Sequence, residues 1–409
     1  AGVMGGGIAQ LVAQEAGLPV RLKDLSAEAL ALGMRHAAEL FRRQLERRRL
    51  SEPEARSRMA LLRPALDDAG LAGVDLLLEA IVEKLEVKQR VLGELSRALP
   101  ADAMVATNTS SLSIDAIARD VAGPERVVGM HFFNPVHKMP LVEVVAGPRT
   151  SPKVVARVSR FSRRLGKTPI VVRDAPGFLV NRLLMFSLAE ALTLLEEGVS
   201  IEHLDGAMRA WGMPVGPIEL TDEVGLDVAL NAGRVVASAY SDRLRLPDWL
   251  ETMVVEGRLG AKAGRGFYRY SAGRRQGPDP TLHGTLGRPR RARRVDRRGI
   301  GERLVLPMVN EAARCLAEGV AASAADVDLA MILGTGFPPF RGGLCRWADE
   351  EGVDGLRQRL TQLASEVDAR FAPSPALDGV VEAGGFYAAY PALAAAGWPV
   401  GPVLAEPTG

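Results

Sequence analysis

Along the first 174 residues the apolar positions fall into short continuous runs separated by longer stretches of helical period, and that alternation predicts a sheet layered with helices. The runs PVRLK ending before Asp24, VDLLLEA, AMVAT, RVVGMHFF, LVEVV and TPIVVRD are rich in Val, Ile and Leu, as strands buried on both faces require. Between them, Ala27 to Arg49 predicts a long amphipathic helix of Ala, Leu, Glu and Arg, and EKLEVKQRVLGEL and PKVVARVSRFSRRLG predict two more. RVVGMHFF and LVEVV flank a turn marked by Asn134-Pro135, so they are expected to pair like a hairpin and bring His131 close to Glu143. The expectation for residues 1–174 is one doubly wound parallel sheet.

Beyond Asp174 the strand pattern stops. Long helical patterns run to about Leu246, and GRGFYRY (Gly264 to Tyr270) closes the segment with a turn and an aromatic cluster. Residues 271–300 shift to Gly, Pro and clustered Arg in GRPRRARRVDRR, the composition of a solvated linker. An internal repeat follows. NRLLMFSLAEALTLLEEGV from Asn181 matches ERLVLPMVNEAARCLAEGV from Glu302, and LDGAMRAWGMPVGP continues as VDLAMILGTGFPPF. The organisation expected is an α/β domain over 1–174, a helical domain over 175–275, an Arg-rich linker over 276–300 and a second helical copy over 301–409.

Composition changes this picture only by exclusion. A chain of 409 residues exceeds what one hydrophobic core usually supports. With 24% charged residues, 47% hydrophobic and a net charge of +2, it is neither disordered nor basic enough for a broad nucleic-acid binder, and the arginine cluster has no interleaved aromatics. Small molecules are the expected partners. Cys315 and Cys345, the two cysteines, are too few for a disulfide framework, and no Cys/His spacing suits a metal site, so a reducing, cytoplasmic compartment is expected. No apolar run reaches the roughly twenty residues of a membrane span.

Candidate chemistry lies in two places. AGVMGGGIAQLVAQEAG followed by PVRLK and Asp24 is a glycine turn, a helix of small residues, a strand and an acid about twenty positions on, the arrangement that binds a dinucleotide. Gly2 and Gly5 take the second and third glycine positions: Gly2 lets backbone approach a pyrophosphate, and Gly5 permits close helix packing. Asp24 accepts hydrogen bonds from ribose hydroxyls and repels a 2′-phosphate, which favours NAD over NADP, while Arg21 and Lys23 argue the other way. The second place is His131 with Glu143, an imidazole able to take and return a proton with a carboxylate to fix its tautomer. A histidine beside Phe132 and Phe133 also fits a satisfied core residue. Glu83 and Lys88, and then Asn108, Thr109, Ser110 and Ser111, fall at the carboxyl edge of the sheet where ligands bind, although Ser and Thr before a helix also serve as N-caps.

With the glycine turn, the Asn-Thr-Ser-Ser turn, HFFNP, Glu143 twelve residues after His131, and PGFLVNR in one order, the chain closely resembles the L-3-hydroxyacyl-CoA dehydrogenases over nearly its full length. The duplicated helical part further resembles the α-subunits of multifunctional fatty-acid β-oxidation enzymes, which carry an enoyl-CoA hydratase domain upstream. The resemblance implies NAD as cofactor and an acyl-CoA substrate. It implies His131 as general base, Glu143 as its orienting partner, Ser110 and Asn181 as ligands of the C3 oxygen, Glu83 and Lys88 near the nicotinamide ribose, Asn108 beside the nicotinamide, and Asp24 on the adenosine ribose. It also implies an oligomer that includes a thiolase subunit, and no metal. Glu302 stands where Asn181 stands in the first copy, so the second copy is expected to be structural. Alternatives are a non-catalytic NAD- or CoA-binding scaffold and a β-hydroxyacid dehydrogenase, which uses a lysine in place of the His/Glu pair. The fingerprint begins one residue late, so the natural polypeptide is expected to extend upstream, supplying a central strand and the first glycine.

Overall fold

A computed structural model describes residues 2–282 and 295–391. Residues 283–294 of the expected Arg-rich linker lie outside that description. The chain forms two units, 1–175 and 176–409.

In the first unit, strands β1 (Val20–Lys23) and β2 (Leu62–Ala65) pair in parallel as one two-stranded sheet. A second sheet has the order β3 (Leu76–Glu79), β4 (Met104–Thr107), β5 (Val127–Phe132), β6 (Leu141–Ala146), β7 (Thr168–Arg173). Strands and helices alternate as a Rossmann-like, doubly wound domain, with two departures from the single parallel sheet expected. Among the described residues the two sheets are not hydrogen-bonded to each other. And the second sheet is mixed: β6 runs antiparallel to β5, as the expected hairpin requires, and β7 lies parallel to β6, so the last two strands run opposite to the other three.

Helix α1 (Val3–Leu11) joins the two sheets through its two faces. Ile8 and Leu11 enter the core formed by Met104, Val128, Met130, Val142 and Val144, while Ala9 packs with Leu22, Leu30, Phe41 and Leu62. Helix α2 (Ala27–Glu46) ends three residues before the expected Arg49, with Arg48 at φ 52°. The helix crossing is made by Gly6, where a Cβ would stand 2.6 Å from the Gly33 carbonyl oxygen; a Cβ at Gly5 would meet nothing within 4 Å. Close packing of the two helices therefore depends on Gly6, not on Gly5 as expected. Helix α3 (Glu52–Met59) and β2 were not anticipated. Their sequence signal is Ser51 with Glu54 three residues on, a capping box in which each side chain accepts the other's backbone N–H.

The second unit is mostly helical: α4 (Val180–Glu196), α5 (Ile201–Trp211), α6 (Pro217–Val224), α7 (Leu226–Ala239) and α8 (Trp249–Val255) precede α9 (Arg297–Ala317), α10 (Ala324–Thr335), α11 (Leu344–Glu351), α12 (Val353–Glu366) and α13 (Pro375–Glu382). Strands do not disappear after Asp174, because part of GRGFYRY forms β8 (Tyr268–Ser271) in a hairpin with β9 (Arg274–Pro278). Two aspartates in each half take over the same backbone donors. Asp205 accepts from the N–H groups of Ile218 and Glu219 and from the Tyr268 hydroxyl; Asp328 accepts from Cys345, Arg346 and the Tyr387 hydroxyl. Asp222 accepts from Phe267 and Tyr268, and Asp349 from Phe386 and Tyr387. The repeat thus extends to a second Phe-Tyr pair that sequence comparison of the two stretches did not reach.

The halves meet across an exchange of buried ion pairs. Arg182 of α4, 0% exposed, binds Glu311 at 2.7 Å and Glu318 at 2.5 and 2.9 Å. Its counterpart Arg303 of α9 binds Glu190 and Glu197 of α4 and the turn after it. Each central carboxylate takes a second guanidinium, Arg243 on Glu311 and Arg370 on Glu190. Removing one partner of a buried pair leaves an uncompensated charge. Glu311→Gln and Glu190→Gln are therefore each expected to lower the free energy of unfolding of this unit by about 3 kcal/mol, the low end for a broken buried pair. Urea or guanidinium unfolding measures both; a loss below about 1 kcal/mol at either position would show that these pairs are not held dry.

Candidate active site

The site in the first unit is built on the β5–β6 ladder, whose residues are almost all buried on both faces. His131 lies directly opposite Glu143 in the register, and Nδ1 is 2.8 Å from Glu143 Oε2. An ionised carboxylate only accepts, so Nδ1 carries the hydrogen and Nε2 presents a lone pair. Glu143 is 0% and His131 5% exposed. Gly129, two residues before His131, sits opposite Val145, where a Cβ would stand 2.6 Å from the valine Cβ, so a side chain there would force this register apart. The connecting turn contains a cis Asn134–Pro135 bond, and Lys167 fixes it by donating to the carbonyl oxygens of Val136 (2.6 Å) and Met139 (2.7 Å). Phe133 stacks obliquely on His131, ring centroids 4.5 Å apart.

At the neighbouring strand ends, Asn108 follows β4 and accepts the Phe132 N–H at 2.8 Å, tying β4 to the end of the histidine strand. The N-cap of the short helix Ile114–Ile117 is Ser113, so capping does not employ Ser110. Ser110 instead gives its N–H (2.8 Å) and its hydroxyl (3.2 Å) to Glu83 Oε1, which also accepts from the Thr109 hydroxyl at 2.5 Å. Burial pushes the Glu83 carboxyl up, but Lys88 and the Thr109 and Ser110 donors outweigh it and hold the group below the usual carboxylate range. Lys88 is 1% exposed in the helix Leu85–Ser96 and contacts Glu83 Oε2 at 3.2 Å and both oxygens of Glu79 at 2.7 and 2.9 Å. Glu79 was missed from sequence. Its signal is a lone acid closing the apolar run LLLE nine residues before a lysine on the following helix.

The glycine end of the unit fits a dinucleotide. Gly2 caps α1, the first turn carries no acid, and the N-terminal N–H groups suit a pyrophosphate. Asp24 follows β1, accepting the Leu25 N–H at 2.7 Å. Arg21 is paired with Asp67 (2.9 Å) and Lys23 with Asp68 (2.8 Å), so the two cations that argued for a 2′-phosphate are engaged elsewhere. Asn181 belongs to the second unit, in the first turn of α4, and follows a turn in which Gly177 and Phe178 both have positive φ, 77° and 52°. Phe178 is fully buried, so the surrounding packing holds it in that sparsely populated conformation.

No helix among the described residues is long and apolar enough to cross a membrane. The family profile for "3-hydroxyacyl-CoA dehydrogenase, NAD binding domain" matches residues 1–175, and that for "3-hydroxyacyl-CoA dehydrogenase, C-terminal domain" matches 177–270 and 300–389. A fatty acid oxidation complex subunit alpha from Shewanella sp. strain MR-4 is 39% identical over 382 residues, 92% of this chain and 54% of that protein. The chain spans about half the length of the curated relatives it matches. The crystal structure of 3-hydroxybutyryl-CoA dehydrogenase from Escherichia coli is 30% identical with a TM-score of 0.81, covering 93% of this chain and 96% of that one. That of (S)-3-hydroxybutyryl-CoA dehydrogenase from Ralstonia eutropha is 37% identical with a TM-score of 0.63, covering 66% and 96%. On its α/β unit, its repeated helical unit and these matches, the chain belongs to the 3-hydroxyacyl-CoA dehydrogenase family.

Proposed function

We propose that this chain oxidises the C3 hydroxyl of a 3-hydroxyacyl-CoA to the ketone, within a fatty-acid oxidation complex. The observation that carries the reading is the buried His131–Glu143 pair at 2.8 Å, a base with a fixed tautomer at the carboxyl edge of a dinucleotide-type sheet. His131 Nε2 takes the hydroxyl proton, and Glu143 stabilises the imidazolium that forms. Ser110, from the turn after β4, holds the C3 oxygen as its charge changes, and the family resemblance gives Asn181 the same role. NAD, when bound, accepts the hydride leaving C3. Gly2 and the N-terminus of α1 would receive its pyrophosphate and Asp24 its adenosine ribose, with Gly5 in the same turn, and Glu83, Lys88 and Asn108 would hold the nicotinamide end.

The proposal includes the division of the helical unit into copies at 175–275 and 301–409, supported by the matching aspartates and ion pairs of its two halves. It also includes an oligomer in which a thiolase subunit takes the ketoacyl product, and a cytoplasmic site of action, supported by two cysteines buried as thiols.

His131→Gln is expected to lower kcat at least about a hundredfold with little change in NAD affinity, the usual minimum for loss of a general base. NADH absorbance with a 3-hydroxyacyl-CoA substrate measures it, and near-normal turnover would sink the assignment. For the cofactor, NAD is expected to bind more tightly than NADP. Asp24→Ser should narrow that preference at least about tenfold, roughly 1.4 kcal/mol, the size of one hydrogen bond to a charged group. Titration of both cofactors decides it, and an unchanged ratio would mean that Asp24 does not face the ribose.

A further inference from the structure

We infer that Glu79 is a positioning residue of the reaction, acting through Lys88 and Glu83 to set the Ser110 hydroxyl. The inference rests on the function proposed above. Glu79 is the last residue of β3 and is 5% exposed. Its Oε1 accepts from the Ile81 N–H at 2.6 Å and from Lys88 at 2.7 Å; its Oε2 accepts from the Thr107 hydroxyl at 2.6 Å and from Lys88 at 2.9 Å. One carboxylate therefore ties together the end of β3, the loop after it, the end of β4 and the helix Leu85–Ser96.

The geometry transmits that anchoring outward. An ammonium has three hydrogens, and a buried one is stable only when they are taken up by charged or polar partners. Glu79 takes two, at its two oxygens, and the third is left to Glu83 Oε2 at 3.2 Å. Glu83 is consequently bound end-on: Oε2 faces Lys88, and Oε1 faces Thr109 and Ser110. Glu83 has a third of its side chain exposed, so its orientation depends on what stands behind it. Without Glu79, Lys88 would keep a single carboxylate partner and draw it inward, away from the Ser110 N–H and hydroxyl. The consequence falls on the geometry at the C3 oxygen, and so on kcat more than on acyl-CoA affinity.

The test uses the full chain, assayed by NADH formation from a 3-hydroxyacyl-CoA, with thermal melting alongside. Glu79→Gln keeps the shape and the contacts to Ile81 or Thr107 but turns an amide N–H toward Lys88. We expect kcat at least about tenfold lower with KM for the acyl-CoA within about threefold, a split that loss of folded protein alone does not produce. The double variant Glu79→Met/Lys88→Met removes both buried charges at similar volume, and such replacements are often neutral for stability. It should melt within about 3 °C of wild type, on the order of a 1 kcal/mol change, and lose no more kcat than Lys88→Met alone, because Glu79 acts through Lys88. A kcat within about threefold of wild type in Glu79→Gln overturns the inference; if Glu79→Gln does not fold, a double variant at least about tenfold below Lys88→Met in kcat overturns it. Wild-type chain without turnover would instead overturn the proposed function, and the inference with it.

Discussion

The antiparallel register of β5 on β6 is the constraint on which the rest of the first unit depends. Side chains on a strand alternate faces, so a slip of one residue would send His131 to the opposite face from Glu143 and leave a fully buried carboxylate without its imidazole. Three features hold the register against that slip. Gly129 admits the Val145 side chain at a spacing no other residue allows, Lys167 clamps the turn by two carbonyl oxygens, and Asn108 takes the N–H of Phe132 from the neighbouring strand. Each of the three fixes where the imidazole stands.

A second regularity is how this protein buries charge. Lys88, Arg182 and Arg303 are almost wholly removed from water, and each is surrounded by at least two carboxylates with their oxygens committed to other donors as well. Desolvating such ions is costly, and only well-directed contacts to every hydrogen offset it. In the first unit this device stands between two strand ends and a helix. In the second it stands between the repeated halves, where Arg182 directly follows Asn181, so the helix that carries the amide is held by carboxylates of the other half.

Much of this was legible in the chain. The strand pattern, the His131–Glu143 pairing and the glycine turn follow from short-range rules: apolar runs, a proline turn, and a pair of residues brought opposite by a hairpin. What was not legible depended on contacts distant in sequence or on local exceptions. The hairpin made the reversal at β6 legible, but that β7 keeps the reversed direction was not, because apolar runs read alike in either direction. The approach of α1 to α2 falls on Gly6 because only the helix crossing determines which of three successive glycines faces Gly33. Glu79 reads as the polar end of a strand until Lys88 is seen folded back against it. The hairpin at Tyr268 was hidden because its copy in the other half, at Phe386–Ala389, is helical.

The comparison of the two halves shows what the buried interior requires. Positions that serve the buried interior are kept in both: Arg182 and Arg303, Asp205 and Asp328, Asp222 and Asp349, each with the same kind of partner. Each is buried or half-buried, and changing one would leave donors or charges without partners in the interior. Asn181 has no such counterpart. In its place the second half has Glu302, whose carboxylate accepts from Arg298 and Arg359 near the surface, contacts of small energetic consequence. A buried polar network resists substitution piece by piece because every member supports another. The positions kept in both halves are therefore those whose partners lie in the interior.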